Sequence, residues 1–159
     1  MGKFARLLRT PPADLLLIAR AWCLFYRVDW VIRHRDYARW PQWMKIEPGD
    51  AGDQGEVDKR EREAIARIIR LSEVAGRHHV RPMNCLRRCL VQRSLLRERL
   101  GVRADLILGV KNQGGFAAHS WLRADGVVVN DTPQNLAQYD VLSSAGALAP
   151  SLHSLFRRD

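Results

Sequence analysis

The sequence predicts an α+β protein in which helices come first and a small antiparallel sheet follows. Three observations carry that class. Apolar residues recur at helical spacing up to about residue 100, the period switches to two from Val102, and a glycine-bearing turn then separates two short β-rich runs, FAAHSWLR and VVVND. At 159 residues the chain fits a single domain, 1–159, with room for a core that needs no disulfide support. With 47% apolar and 27% charged residues, the composition excludes a disordered or fibrous class.

In chain order, Thr10 before Pro11 and Pro12 reads as a capped helix start, and the apolar pattern continues to about Ile32. Arg20 and Arg27 interrupt its apolar runs, whereas a membrane span needs about 20 consecutive apolar residues and a signal peptide an unbroken apolar stretch. No integral membrane segment and no export signal is therefore expected. The acidic stretch EPGDAGDQGEVDKRERE, net −4 between segments of +6 and +7, begins with Pro and Gly; its first half, about 47–57, reads as an exposed loop and its second half as a charged helix start. Ile65, Ile68, Ile69 and Ser72 then mark an amphipathic helix that completes the helical part, 1–76; Gly76 reads as its end, and Arg67 and Arg70 lie on its outer side.

The run CLRRCLVQRSLLRERL predicts a third helix, capped by Asn84 and closed by Gly101, with Cys85, Cys89, Gln92 and Leu96 on one stripe. Its arginines Arg87, Arg88, Arg93, Arg97 and Arg99 read as a solvated face or as a surface that receives an acidic partner. Residues 102–110 alternate as a half-buried strand, and KNQGG follows as a loop. The next two strands are read as a hairpin with a three-residue loop, 124–126, which sets Trp121 opposite Val129 and His119 opposite Asp131. From Thr132 onward the expectation is loop with short helical pieces.

Twenty-six Lys and Arg against seventeen Asp and Glu leave a net charge of +9, which keeps nucleic acid, an anionic membrane and an acidic polypeptide open as partners. Three cysteines, Cys23, Cys85 and Cys89, cannot form a complete disulfide framework and fit a reducing, cytoplasmic setting. A Cys85/Cys89/His119 zinc site runs against the usual ligand spacing, and His78 and His79 read as solvated, so no metal and no cofactor is expected. Trp22, Trp30, Trp40, Trp43 and Trp121 are spread as packing residues rather than as a base-stacking platform.

The chemistry points to one place. A cysteine at a helix N-terminus beside an imidazole has its thiolate favoured, and Cys85 follows the capping residue Asn84. His119 can take and return a proton, Asp131 can hold the imidazole tautomer, and the Cys85 N–H can face an oxyanion. Cys89 reads either as a second thiol near the site or as a small buried core residue.

Beyond these parts, NCLRRCLVQRSLLRERLGVRADLILGVKNQGGFAAHSWLRADGVVVND resembles the transglutaminase-like core of lasso-peptide leader peptidases, the stand-alone second half of the split B protein, also called the microcin-processing family. Cys85-Leu86 with Arg88, Cys89 and Leu90, then Gly101, Gly109-Val110, Phe116, Ala118, His119, Trp121, Gly126 and Asp131 carry that resemblance, which spans about residues 80–145. Cys89 stands where the family has Ser or Ala, and Ser120 where it has Ala. The resemblance implies a papain-like core with a catalytic helix, Cys85 as nucleophile, His119 as general base and acid, and Asp131 as the orienting acid. It further implies a cysteine endopeptidase that cuts the leader from a ribosomally made lasso-peptide precursor. A leader-binding recognition protein and the lasso cyclase are the implied partners. The residues taken alone leave a second class open, a basic, non-catalytic nucleic-acid-binding or scaffold module. Selective alkylation of Cys85 distinguishes the two.

Overall fold

The computed structural model describes residues 10–35, 58–112 and 115–144. The loop expected at about 47–57, together with Trp40 and Trp43, lies outside the described residues. Helices α1 (Pro12–His34), α2 (Lys59–Arg77) and α3 (Cys85–Leu100) precede strands β1 (Asp105–Lys111), β2 (Ala117–Ala124) and β3 (Val127–Val128), the short helix α4 (Pro133–Leu136) and strand β4 (Asp140–Ser144). The sheet is antiparallel with order β3-β2-β1-β4.

Local chemistry explains most helix ends. At α1 the expected Thr10 cap is replaced by Pro11, whose carbonyl accepts the N–H groups of Asp14 and Leu15, and no side chain caps this end. Proline suits the first turn because its missing N–H would be unpaired there anyway. Asp58 caps α2 by accepting the Glu61 N–H at 2.7 Å. Gly76 does not end α2, which runs on to Arg77; a Cβ at Gly76 would lie 3.1 Å from Phe25 Cζ, so this glycine leaves room for the Phe25 ring of α1. Gly101 closes α3 at φ 72°, a left-handed conformation that glycine adopts without a Cβ clash.

The three helices and one sheet face share a core. Leu17, Ala21, Phe25 and Ile32 of α1 meet Ile65, Ile68 and Ala75 of α2 and Leu86, Leu90 and Leu95 of α3, while Leu106, Leu122 and Ala124 close it from the sheet. Buried polar residues tie these layers together. Asp29, 1% exposed, bonds Arg33 Nε (3.1 Å), Arg87 Nε (3.0 Å) and Arg81. Burial raises its carboxyl pKa, but hydrogen bonds from Arg81 and Arg33 and the charge of Arg87 outweigh this and hold it below the ordinary carboxylate value. Arg87 is thus a buried ion-pair partner, not part of a solvated face, and Arg88 likewise bonds Glu73 at 2.7 Å. Nor is His79 simply solvated, since its ring packs 4.4 Å from Tyr26 and 5.4 Å from Trp22.

Two features of the sheet depart from expectation. Strand β1 is buried on both faces at Leu106, Ile107 and Leu108 instead of one, and its added partner β4 falls in a stretch expected to be loop. The hairpin turn has two residues, not three: Ala124 pairs with Val127, and Asp125 and Gly126 take φ 46° and 76°. Positive φ at both central positions is what a type I′ turn requires, and Asp-Gly is a favoured pair for it. Among the described residues no helix is long and apolar enough to cross a membrane.

Candidate active site

Cys85 is the first residue of α3. Asn84 Oδ1 accepts the Arg87 N–H (3.0 Å) and the Asn84 carbonyl accepts the Arg88 N–H (3.1 Å), so the Cys85 and Leu86 N–H groups stand outside the helical ladder at its positive end. The helix start is held from behind. Arg87 is fixed to Asp29 of α1, and Arg88 Nε donates to the Met83 carbonyl at 2.9 Å while its Nη1 reaches Glu73 of α2.

His119 lies on β2 opposite Gly109 of β1. A Cβ at Gly109 would fall 2.8 Å from the Trp121 ring and 2.9 Å from Tyr139 Cβ, so only glycine leaves room for those two side chains. The same two rings flank the imidazole, Trp121 at 6.1 Å and Tyr139 at 5.1 Å between centroids. His119 Nε2 lies 2.5 Å from Asp131 Oδ2. Because an ionised carboxylate only accepts, Nε2 carries the proton, which leaves Nδ1 as the ring nitrogen able to accept a proton from Cys85.

His119 and Asp131 meet, though not through the ladder. A two-residue turn would place Thr132 opposite His119 and send Asp131 to the other face. The ladder stops first. Val129 N–H still donates to the Leu122 carbonyl (3.1 Å), but Leu122 N–H donates to Asn130 Oδ1 (2.8 Å) where the Val129 carbonyl would otherwise stand. Asn130 Nδ2 in turn donates to Gln92 Oε1 (2.7 Å) and to Cys89 Sγ (3.3 Å), which peels the chain from β2 toward α3 and brings Asp131 round to His119. Asp131 is then secured by the Thr132 N–H (2.7 Å) and by Asn135.

The electrostatics follow from these bonds. Burial pushes the Cys85 thiol pKa up, yet hydrogen bonds with His119 and with the side chain and backbone of Ser120 hold it below the ordinary thiol value. Its bond to Cys85 raises the His119 pKa, against burial and with help from Asp131. For Asp131, burial opposes ionisation but hydrogen bonds from His119, Asn135 and Thr132 hold the pKa down. Cys89 is different: burial pushes it up to about 12 despite hydrogen bonds from Asn130 and Ser120, and its thiol donates to the Ser120 carbonyl at 3.3 Å. At 1% exposure and held by these bonds, Cys89 is placed as a buried packing and hydrogen-bonding residue.

The structure therefore brings together Cys85, His119 and Asp131. Sequence reasoning missed Asn130, Asn135 and Tyr139. The one legible signal was Thr132-Pro133, a capped helix start that sets Asn135 one turn after Asp131. Among the described residues no group of three or more His, Cys, Asp or Glu side chains is arranged to hold a metal ion.

The arrangement suits proton transfer between a thiol and an imidazole and attack by the resulting thiolate. No match to this chain is found among curated proteins or among solved structures. The sequence profile of the Transglutaminase-like superfamily matches residues 24–144, from within α1 to the last residue of β4, and the chain belongs to that superfamily.

Proposed function

We propose that this protein is a cysteine endopeptidase that removes the leader peptide from a ribosomally synthesised lasso-peptide precursor before the macrolactam forms. The observation that carries the reading is the convergence of Cys85, at a helix N-terminus, on an imidazole whose far nitrogen is bonded to Asp131. Membership of the superfamily points to cysteine-protease-type chemistry. The residues from Cys85 to Asp131 that resemble leader peptidases support the finer reading.

In the proposed reaction, His119 Nδ1 takes the Cys85 proton and the thiolate attacks the scissile carbonyl carbon. The developing oxyanion faces the Cys85 N–H, where an amide outside the helical ladder and the helix dipole favour negative charge. The imidazolium then gives its proton to the leaving amine, which becomes the new N-terminus of the core peptide. His119 next draws a proton from water, whose oxygen attacks the thioester, and protonation of the departing sulfur restores Cys85. Asp131 keeps the ring oriented and stabilises its cationic form. Such a reaction in the cytoplasm needs no cofactor; a separate recognition protein presents the leader, and an ATP-using lasso cyclase consumes the freed amine.

The test is cleavage of precursor by the full chain with the recognition protein, read by mass spectrometry. Cys85→Ala and His119→Ala should abolish cleavage while circular dichroism stays native. Asp131→Asn should retain a fraction, about 10²- to 10⁴-fold below the parent, because the carboxylate orients but does not react. Cys89→Ala should keep most activity. A dead Cys89→Ala beside an active Cys85→Ala would overturn the assignment of the nucleophile. Absence of cleavage together with Cys85 no more reactive than an ordinary thiol would favour the basic binding module instead.

A further inference from the structure

We infer that Asn135 is a positioning residue that sets the state of His119 and Cys85 by holding the Asp131 carboxylate in the orientation that aims one oxygen at the imidazole. The inference rests on the thiol chemistry proposed for the site, and its geometry is independent of the substrate. Asn135 Nδ2 stands 3.0 Å from Oδ1 and 3.1 Å from Oδ2 of Asp131, astride the carboxylate. Oδ1 also accepts the Thr132 N–H at 2.7 Å, whereas Oδ2 lies 2.5 Å from His119 Nε2. A free carboxylate has two equivalent oxygens and rotates about its Cβ–Cγ bond. The backbone donor on Oδ1 removes that equivalence, and the amide astride both oxygens resists rotation of the group, leaving Oδ2 aimed at the imidazole.

The placement of Asn135 follows from the local sequence. Thr132 caps α4 by accepting the Asn135 N–H at 3.3 Å, and Pro133 occupies the first turn, so Asp131 and Asn135 stand one helical turn apart. One further turn on, Tyr139 N–H donates to the Leu136 carbonyl at 3.0 Å and the Tyr139 ring lies 5.1 Å from His119. One short segment thus carries the carboxylate, its clamp and a wall of the imidazole. No residue of α4 is buried, so the helix does not exist to fill the core; its specific bonds are those to Asp131.

The consequence is chemical. Without the Asn135 amide the carboxylate loses a donor that favours its anion and gains freedom to turn, and both changes weaken its hold on Nε2–H. The imidazolium then becomes less favourable, and with it the thiolate paired to it.

The experiment compares the parent full-length chain with Asn135→Ala and Asn135→Gln, measuring the rate of Cys85 carboxymethylation against pH and the His119 ring titration by NMR. For Asn135→Ala we expect alkylation near pH 6 to slow about three- to tenfold, the effect of losing one hydrogen bond to a charged group at a partly open site, with the limiting rate at high pH unchanged. The thiol midpoint should move up and the imidazole midpoint down. Asn135→Gln, which keeps the amide donor on a longer arm, should recover at least half of both shifts. A merely structural role would lower thermal stability and leave both midpoints in place, and that result overturns the inference. So would equal shifts in the two variants. If instead the parent shows an ordinary thiol midpoint and no coupling to His119, the proposed function fails at its root and the inference falls with it; unmoved midpoints in Asn135→Ala beside a coupled parent sink the inference alone.

Discussion

Replacing Asp29 by Asn should be among the most destabilising single changes in this chain. Asp29 and Arg87 are 1% and 3% exposed and 3.0 Å apart, so the substitution leaves a guanidinium buried without its counter-charge. Removing one partner of such a pair costs about 3–5 kcal/mol. The bonds to Arg33 and Arg81 help to lower the Asp29 pKa but contribute less to stability than the buried bond to Arg87, because those side chains are 40% and 50% exposed and solvent screens them. With an m-value of about 2 kcal/mol/M, the urea midpoint should fall by roughly 1.5–2.5 M. The sign with pH is fixed by the lowered carboxyl pKa. The stabilisation is complete above the unfolded value of about 3.9 and disappears as pH falls through the folded one, so the parent and variant curves should converge on acidification. The companion variant Asp29→Leu with Arg87→Met, which removes both charges, should recover most of the loss. A midpoint drop below about 0.5 M, or a double variant as unstable as the single one, would refute the reasoning.

Two further outcomes follow from the site. Iodoacetamide at neutral pH should modify Cys85 far faster than Cys89, whose thiol is buried and pushed up to about 12, and the Cys85 rate should fall as pH drops through its lowered pKa; peptide mapping after a short pulse checks both. Gly109→Ala should cost about 1–3 kcal/mol in thermal unfolding by forcing a methyl group against Trp121 and Tyr139, and should slow Cys85 alkylation because the same two rings flank His119; an unchanged melting temperature would mean that those side chains yield freely.

How much of this was legible in the sequence depends on the range of the interactions involved. The caps of α3 were readable because Asn84 and Gly101 act on their own helix. So was the α+β order, which rests on apolar period. The hairpin was misjudged by one residue although Asp-Gly names its turn, and with a two-residue turn a continued ladder would have separated His119 from Asp131. What restores the pair is Asn130 reaching Gln92 and Cys89 on α3, 38 and 41 positions away, which no local pattern encodes. Asp29 was invisible for the same reason. An acidic residue inside an apolar helix is interpretable only once Arg81 and Arg87, 52 and 58 positions on, are known to face it. Likewise β4 forms because β1 offers it an edge, not because its own residues announce a strand.

The opposite shifts at Cys85 and His119 are two expressions of one interaction. A thiol and an imidazole that share a hydrogen bond exchange a proton between neutral and charged pairs, and whatever favours the charged pair lowers one pKa and raises the other together. Burial alone favours the neutral pair at both ends. The charged form therefore depends on fixed partners: Ser120 at the sulfur, the start of α3 beneath it, and Asp131 at the far side of the ring. Each of these is anchored by a buried polar contact, Ser120 to Cys89, α3 to Asp29, and the approach to Asp131 by Asn130 on Gln92. That explains why the interior between α2, α3 and β2 carries a chain of polar side chains, Glu73, Gln92 and Asn130, where apolar packing would be simpler. An apolar substitute could fill the same volume, but it would not take the Leu122 N–H or turn the chain toward His119.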